Sequence, residues 1–490
     1  MRRTLIAAVS LALLTGTVST AGATAAEAPE AAETVVRAGA DTRADIRERL
    51  LAIPGMALVS EEQVGRHRFF ILTYEQPVDH EDPSKGTFRQ RLSLLHKDTG
   101  RPSVFHTTGY HLWPNPERSE PARIIDGNEV SLEHRYFAPS IPAPEDWTEL
   151  NIRQAAADQH RLFTELKKVY PQKWISTGAS KGGMTAAYYE RFHPGDMDAV
   201  VVYVAPADVH DKEDSAYDRF FRRVGTTECR DRVNALQREG LIRRAPLVRA
   251  LTEAAARDEV TFRQIGGVDR AYESAVTGWS WGFWQNYGLD YCGELPAEPA
   301  KAADGELFAA FRQFGGFYGG SDDSLATYRP YYYQAGTELG SPSTRTPRHL
   351  RGLVRYPEQG PRDYVPSEIP MAFQPKAMKD IDRWVRRNAD RMLFVNGAWD
   401  PWSAEPFRLG GGARDSHVLT APGTGHWADV SWLPERERAF ATARIQRWAG
   451  VAPAVVRADP SKARPLARHD ARLDGKDRER QQRRLGALPR

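Results

Sequence analysis

The stretch at residues 174–184 restricts the possible folds of this chain more than any other. An apolar, β-prone run at residues 174–177 leads into Gly-Ala-Ser-Lys-Gly at residues 178–182, and a helix-prone run follows. Gly-x-Ser-x-Gly between a strand and a helix is typical of a nucleophile elbow, a sharp turn that lifts the serine hydroxyl above the edge of a sheet. Glycine and serine also form ordinary turns, so the pentapeptide alone is a weak signal. Its context favours Ser180 as a nucleophile.

Strands and helices alternate on both sides of this stretch. The continuous β-branched run at residues 199–204 is typical of a strand buried on both faces, and residues 151–169 form an amphipathic helix pattern. This alternation predicts the α/β class, with an α/β-hydrolase core, a mostly parallel sheet and an inserted, largely helical cap domain. The other predicted strands are residues 66–75, 87–95, 103–105, 174–177, 391–395 and 417–419, and the other predicted helices are residues 41–51, 228–239, 246–258, 381–388 and 435–448.

The alternation stops between residues 207 and 380, where arginine, glycine and aromatic residues become frequent. We interpret residues 207–380 as a cap inserted into a core that consists of residues 41–206 and 381–450. Residues 26–40 have the composition of a leader or pro-segment. Residues 451–490 form a basic C-terminal extension that is predicted to be loosely held.

The N-terminus has the features of a secretory signal peptide. Arg2 and Arg3 precede an apolar run at residues 5–14, and Ala-Thr-Ala at residues 23–25 is a small-residue cleavage site, so residues 1–25 are the predicted signal. A membrane anchor, the alternative, needs a longer apolar run. We therefore expect a secreted, extracellular monomer. A net charge of +3 gives no reason to expect nucleic acid or a membrane as a partner.

The chain has two cysteines, Cys229 and Cys292. In an oxidising compartment such a pair forms a disulfide more often than it remains as two free thiols. Two cysteines without clustered histidines do not complete a zinc site, so no metal site is predicted.

A serine hydroxyl becomes a strong nucleophile when a base removes its proton and an acid orients that base. In the α/β-hydrolase arrangement the acid and then the histidine follow the serine, on loops after late strands. Asp400 follows the next-to-last predicted strand and is the candidate acid, although Asp-Pro is also an ordinary turn. His426 follows the last predicted strand and is the candidate base. His417 lies within that strand, and His193 and His210 come before Asp400 in the chain, so these three fit the order less well.

The oxyanion formed during acyl transfer needs two N–H donors. The backbone N–H of Lys181, the residue after the nucleophile, is the first expected donor. The backbone at Tyr110 is the second candidate, with Gly109 allowing a close approach. The Lys181 ammonium is assigned no role.

Five motifs occur in an order that resembles a known family. They are Gln-Pro-Val-Asp-His at 76–80, Thr-Phe-Arg-Gln-Arg at 87–91, Glu-His-Arg-Tyr at 133–136, Tyr-Gln and Thr-Glu within 333–338, and Asn-Gly-Ala-Trp-Asp-Pro-Trp at 396–402. Together they resemble the proline-specific serine exopeptidases of α/β-hydrolase fold, the group of lysosomal Pro-X carboxypeptidase and dipeptidyl peptidase. The secretory start and Gly-Ala-Ser-Lys-Gly-Gly are similar to the secreted bacterial prolyl tri- and tetrapeptidyl aminopeptidases.

The resemblance implies a serine exopeptidase that releases tri- or tetrapeptides from a free N-terminus by cleaving after proline, without metal or cofactor. Ser180, Asp400 and His426 match the triad positions of that family. Lys181 departs from the lysosomal relatives, which carry an aromatic residue there, and the cap matches only in patches. A lipase or esterase on the same fold would need an exposed aliphatic lid, which this cap lacks. The intact serine, aspartate and histidine argue against a catalytically silent binding protein.

Aromatic residues concentrate at positions 279–284 and 328–333 of the predicted cap. They either pack the cap onto the core or contact a proline ring, and Trp281 and Trp399 are the candidate substrate-binding residues. An aminopeptidase also needs an anion that holds the substrate ammonium. Glu133 and Glu338 are the candidates, and an ion pair with an arginine is the alternative for either.

Overall fold

A nine-stranded mixed sheet organises the part of the chain that the computed structural model describes, residues 45–343, 345–451 and 459–474. The strands are β1 (Met56–Val64), β2 (His67–Pro77), β3 (Thr87–His96), β4 (Ser103–Thr107), β5 (Asn128–Leu132), β6 (Trp174–Ala179), β7 (Ala199–Tyr203), β8 (Met392–Gly397) and β9 (His417–Ala421). Their order across the sheet is β1-β2-β3-β5-β4-β6-β7-β8-β9. The pairs from β1 to β5 are antiparallel, and those from β5 to β9 are parallel.

Helices cover both faces of this sheet. They are α1 (Ile46–Leu51), α2 (Glu120–Ile125), α3 (Ile152–Val169), α4 (Lys181–Phe192), α5 (Ser215–Phe221), α6 (Thr227–Ile242), α7 (Arg244–Arg257), α8 (Val268–Thr277), α9 (Trp279–Asn286), α10 (Asp304–Phe314), α11 (Asp322–Gln334), α12 (Ala377–Asn388), α13 (Glu435–Trp448) and α14 (Ala471–Asp474). Within β7, Val200 and Val202 pack in one cluster with α3, α4 and α12, whereas Val201 packs in another with α2 and α13. The predicted class, α/β with a mostly parallel sheet and helical regions, is confirmed.

Helices α5 to α11 lie between β7 and β8, in the interval predicted as the cap. Their apolar side chains form a separate cluster that includes Leu236, Phe283 and Phe311. Cys229 in α6 and Cys292, in the turn Leu289–Glu294, form the predicted disulfide, with 5.8 Å between their Cα atoms. From Ile46 onward, core and cap form one compact unit.

The described part of the C-terminal extension, residues 459–474, packs against the core. The Arg118 guanidinium donates to both carboxylate oxygens of Asp474, at 2.6 and 2.7 Å, and Leu473 is buried beside Phe69 and Ile71. The prediction of a loosely held extension is therefore wrong for these residues, because a buried ion pair and an apolar contact hold them. The predicted signal peptide and leader, residues 1–40, lie outside the described residues. None of the described helices is long and apolar enough to cross a membrane.

Candidate active site

Ser180 lies in a tight turn between β6 and α4. Its backbone has φ 55° and ψ −130°, a conformation that a residue with a side chain rarely adopts. The Ser180 N–H donates to the carbonyl of Tyr203 at 3.0 Å, which ties the turn to β7. A Cβ on Gly182 would lie 2.4 Å from the Thr107 carbonyl oxygen, so only glycine fits where β4 passes the start of the helix. The sequence therefore forms the sharp turn that an elbow requires.

Asp400 and His426 are brought together by the loops after β8 and β9. His426 Nδ1 lies 2.9 Å from Asp400 Oδ2. The fully buried Asp400 carboxylate also accepts hydrogen bonds from the Trp402 N–H at 3.1 Å and the Ser403 hydroxyl at 3.0 Å. His426 and Ser180 line the same pocket. Both carboxylate oxygens of Asp400 therefore have hydrogen-bond partners. Because Asp400 contacts His426 at Nδ1, Nε2 is left for proton transfer.

Helix α9 of the cap holds the histidine and acid loops in place. The His426 N–H donates to the Gln285 carbonyl at 2.9 Å, and Trp402 Nε1 donates to Gln285 Oε1 at 3.0 Å. A single cap residue thus bonds to both loops. The cap contributes to the position of His426 as well as to the wall of the pocket.

The Tyr110 side chain reaches Ser180 from the loop after β4. Its hydroxyl lies beside the Ser180 side chain and the Lys181 backbone N–H, and hydrogen bonds with both act on its pKa. Burial has the largest effect and raises that pKa, so the phenol remains protonated and can donate. The Tyr110 backbone N–H instead faces Thr108 Oγ1 at 3.3 Å. The structure therefore places the hydroxyl of Tyr110, rather than its N–H, near the reacting atoms.

The Lys181 side chain is buried under the Tyr110 loop. Its Nζ donates to the Gly109 carbonyl at 2.7 Å and lies 5.7 Å from the centre of the Tyr110 ring. Burial lowers the pKa of this amine well below its usual range, and Glu338 acts in the opposite direction. The side chain fastens the Tyr110 loop to the first residue of α4, a contact that could not be predicted from the sequence.

The pocket beside Ser180 is narrow. Its free volume is about 50 Å³, on a scale where one water needs about 10–15 Å³. Core and cap both contribute to its wall, which includes Tyr110, Met184, Asp208, Tyr217, Gln285, Asn286, Tyr331, Gly340 and Trp402. A separate cavity of about 960 Å³ lies nearby, between Phe137 of the core and helices α7, α10 and α11. The rings of Phe137 and Tyr328, which line that cavity, pack against Tyr110.

Neither glutamate considered for the substrate ammonium lines this pocket. Glu133 is buried and accepts hydrogen bonds from Arg91 at 2.5 Å, Ser140 at 2.6 Å and the Leu112 N–H at 2.9 Å. This is the arginine pairing that the sequence left open for it. Glu338 accepts from the Ile152 N–H at 2.8 Å, at the first residue of α3, and burial raises its pKa to about 7. Both carboxylates already have donors within the fold.

The two candidate tryptophans lie behind the pocket wall. Trp281 packs against Tyr217 and Trp402, with ring centroids 5.3 and 4.9 Å apart, and both of those partners line the pocket. Trp399 packs against Trp284 of α9 at 6.5 Å. Trp281 therefore supports two residues of the pocket wall, whereas Trp399 packs on the residue of α9 that precedes the pocket-lining Gln285.

Asp208 and Tyr217 line the pocket and were missed from the sequence. Asp208 follows β7, in Ala-Pro-Ala-Asp, at the sheet edge where the elbow also emerges. A carboxylate in a loop at the carboxyl end of a parallel strand was the available signal, because ligand sites of α/β sheets lie there. No comparable signal in the sequence identifies Tyr217, because α5 is brought to the pocket only when the chain folds.

The strand order, the elbow after β6 and the helices on both faces define the class of α/β-hydrolases. The chain belongs to the peptidase S37 family, whose model, described as PS-10 peptidase S37, matches residues 40–485, and it is therefore a serine peptidase. Over 477 residues it is 50% identical to the prolyl tri/tetrapeptidyl aminopeptidase of Streptomyces mobaraensis, an alignment that covers 97% of this chain and 98% of that protein.

The solved structures that match this chain share little sequence with it. Proline iminopeptidase from Mycobacterium smegmatis is 13% identical, with 81% of this chain and 100% of that chain covered and a TM-score of 0.33. Carboxyl esterase 2 from Tuber melanosporum is also 13% identical, with 81% and 89% covered and a TM-score of 0.36.

Proposed function

We propose that this peptidase releases tripeptides and tetrapeptides from free N-termini by cleaving after proline, through an acyl-enzyme on Ser180. The observation that carries the proposal is the 2.9 Å contact between His426 Nδ1 and Asp400 Oδ2 at the edge of the pocket that Ser180 lines. The 50% identity to a prolyl tri/tetrapeptidyl aminopeptidase supports the specificity for proline and for short peptides.

In the acylation step, His426 Nε2 takes the proton of Ser180 Oγ as the oxygen attacks the carbonyl carbon of the substrate proline. The hydroxyl of Tyr110 and the backbone N–H of Lys181 donate to the resulting oxyanion. His426 then gives its proton to the leaving amine, and the peptide bond breaks. Water attacks the ester with His426 again acting as base, which releases the short peptide and restores Ser180.

The pocket wall supports recognition of proline. A proline ring is rigid and apolar, so it loses little entropy when it binds between aromatic faces. Tyr331 and Trp402 line the pocket together with Met184, and Trp281 packs behind Trp402. The narrow space beside Ser180 favours a compact ring over a long flexible side chain.

We place this activity outside the cell. The predicted signal at residues 1–25 and the disulfide between Cys229 and Cys292 support export, because such bonds persist in oxidising compartments. Free N-termini of peptides or proteins are the proposed partners, and no cofactor is needed for the steps above.

A fluorophosphonate probe tests the nucleophile, because it forms a covalent bond with an activated serine. We expect labelling of the wild type and no labelling of Ser180→Ala. Ser176→Ala is a matched control, because Ser176 is a buried serine on the strand that precedes the elbow, and it should label like the wild type. Equal labelling of Ser180→Ala would exclude this nucleophile.

Chromogenic peptides with proline or alanine at the cleaved position, each with a free or acetylated N-terminus, test the specificity. Product masses identify the released fragments. A preference for alanine would contradict cleavage after proline, and hydrolysis of simple esters alone would favour a lipase or esterase. Equal rates on free and acetylated peptides would contradict an aminopeptidase.

A further inference from the structure

The side chain of Asp208 is buried in the wall of the active-site pocket, with 4% of its surface exposed. Neither of its carboxylate oxygens accepts a well-formed hydrogen bond from the described residues, and the donor that acts on the carboxylate is the backbone N–H of His210, two positions further along the chain. Buried carboxylates in folded proteins are normally paired or hydrogen-bonded, because removal from water without a partner is costly. A buried carboxylate that lacks a well-formed hydrogen bond, in the wall of a peptidase pocket, is therefore suited to a ligand that carries positive charge.

Three segments hold Asp208 in this position. The Ala207 N–H donates to the Glu405 carbonyl at 2.7 Å, which joins the loop after β7 to the loop that follows Asp400. From the cap, Gly340 packs directly on the carboxylate, and a Cβ at that position would lie 2.7 Å from Asp208 Cγ. Gly340 has φ +80°, which glycine adopts without strain. The fold thus fixes the carboxylate rather than letting it turn towards solvent.

The surroundings of Asp208 are rich in negative charge. Burial is the largest cause that raises its pKa to about 8, and Asp214, Asp211 and Glu405 contribute in the same direction, whereas the backbone N–H of His210 lowers the pKa. Burial likewise raises the pKa of Glu405 to about 7, with Asp214 as the next contribution. A cation that enters the pocket would relieve both the burial of charge and the repulsion between these carboxylates.

Other unpartnered acceptors lie along the same wall. The hydroxyl of Tyr217 is fully buried without a partner in the described part of the chain, and Asp208 is the charged group that acts most strongly on its pKa. Asn286 Oδ1 also lines the pocket without a partner among those residues. An ammonium group has three N–H donors, so a carboxylate with neutral acceptors nearby matches its chemistry.

We propose that Asp208 binds the α-ammonium of the substrate and so makes this active site specific for free N-termini. The inference rests on the function proposed above, since it concerns the same pocket and the same substrate. Three extended residues span about 10 Å, so an anchor at a fixed place in the pocket limits how many residues fit between the ammonium and Ser180. Glu338 and Glu133 are not needed for this role.

The test compares kcat/KM for a proline tripeptide anilide with a free or an acetylated N-terminus. For Asp208→Asn, which keeps the shape of the side chain, we expect at least about a 30-fold loss on the free peptide. The acetylated peptide should lose less than about threefold, because it has no ammonium to anchor. Glu213→Gln is the matched control: it removes one negative charge from an exposed position of the same loop and should leave the ratio unchanged.

Labelling by the fluorophosphonate probe shows whether Asp208→Asn keeps an intact Ser180. If that variant does not fold, the smaller Asp208→Ser gives the same comparison. An unchanged preference for free N-termini in a labelled variant would overturn the anchor and leave the proposed function standing. A wild type without such a preference would overturn both, so the two failures are distinguishable.

Discussion

Two buried carboxylates lie at the same edge of the sheet, and their surroundings are opposite. Asp400 accepts hydrogen bonds from His426, Trp402 and Ser403. Asp208 accepts no well-formed hydrogen bond at either oxygen within the described ranges, and the backbone N–H of His210 is the donor that acts on it. Burial is almost complete for both, with 0% and 4% exposed. Exposure alone therefore does not separate a residue that serves the chemistry from one that awaits a ligand.

The difference lies in where the compensating donors come from. For Asp400 the protein supplies them, so the carboxylate is ready to orient the histidine before any substrate arrives. For Asp208 the substrate would supply them, so its desolvation is compensated only in the complex. On this view the Asp400 end of the pocket determines the rate of the chemical step, and the Asp208 end determines which peptides are accepted.

Asp400→Asn should have the largest effect and should act on the rate alone. Loss of the negative charge favours the wrong tautomer of His426, so we expect kcat to fall about 10,000-fold on free and acetylated peptides alike. Ser403→Ala, which removes one neutral donor to Asp400, should cost less than about tenfold. If Asp400→Asn lost activity on free peptides but not on acetylated ones, the two carboxylates would not have separate roles.

Tyr110→Phe should be next in size. It keeps the ring that packs against Phe137 and Tyr331 and removes the hydroxyl beside Ser180. Loss of one oxyanion donor should lower kcat about 100- to 1,000-fold, with little change in KM and no change in the preference for free N-termini. Steady-state kinetics on both peptides measures this. An unchanged kcat would mean that another group supplies the second donor.

Gly340→Ala should have a smaller effect on activity, at the part of the pocket next to Asp208. The new Cβ would lie 2.7 Å from Asp208 Cγ, so we expect KM for free peptides to rise about tenfold while acetylated peptides are unaffected. Gly352→Ala is the matched control, because Gly352 has a similar φ of +78° and no atom within 4 Å of the new Cβ. If both variants behave alike, backbone strain and not the contact with Asp208 is responsible.

The smallest expected effect is on stability and depends on pH. The pKa of Asp208 is raised from 3.8 to about 8 in the folded protein. Between these values the unfolded chain has lost a proton that the folded chain retains, so this group destabilises the wild type progressively as pH rises from about 4 to about 8. Asp208→Asn has no ionisable group at this position, so its stability does not fall in this way as the pH rises. Its Tm relative to the wild type should therefore rise by a few degrees across that interval in thermal melts.

A constant difference in Tm between the two proteins at pH 4, 6 and 8 would show that folding does not raise the pKa of Asp208, so that its carboxylate is already ionised in the folded protein at pH 6 and 8. Its environment would then already contain a compensating donor, contrary to the comparison with Asp400.

The strands that carry the catalytic residues could be predicted because each is an apolar run between clear turn signals. Strand β1 was missed because four consecutive polar residues, Ser-Glu-Glu-Gln at 60–63, interrupt its apolar pattern, as expected at a sheet edge with one solvated side. Strand β5 was missed because it is short and contains Asn128 and Glu129, whose buried side chains find partners only in the folded loop. Helix α11 contains Pro330, which argues locally against a helix.

The candidate site, like the fold, has features that could be predicted from the sequence and features that could not. The order of Ser180, Asp400 and His426 along the chain is a property of the sequence, and the fold brings the last two into contact. Whether an acidic residue has a partner is a property of the folded structure. From the sequence, Glu133 and Glu338 were therefore as plausible as any other acidic residue for binding the substrate ammonium, and Asp208 was not identified. The cap residue Gln285, which bonds to both catalytic loops, could not be identified for the same reason.

The most direct test is a crystal structure of Ser180→Ala with the tripeptide Ala-Ala-Pro bound as product. We predict a carboxylate oxygen of the proline within about 3 Å of the Tyr110 hydroxyl and the Lys181 N–H, and the ammonium within about 3 Å of the Asp208 carboxylate. An ammonium bound at Glu338, or lying free in solvent, would contradict the division of the pocket between Asp400 and Asp208.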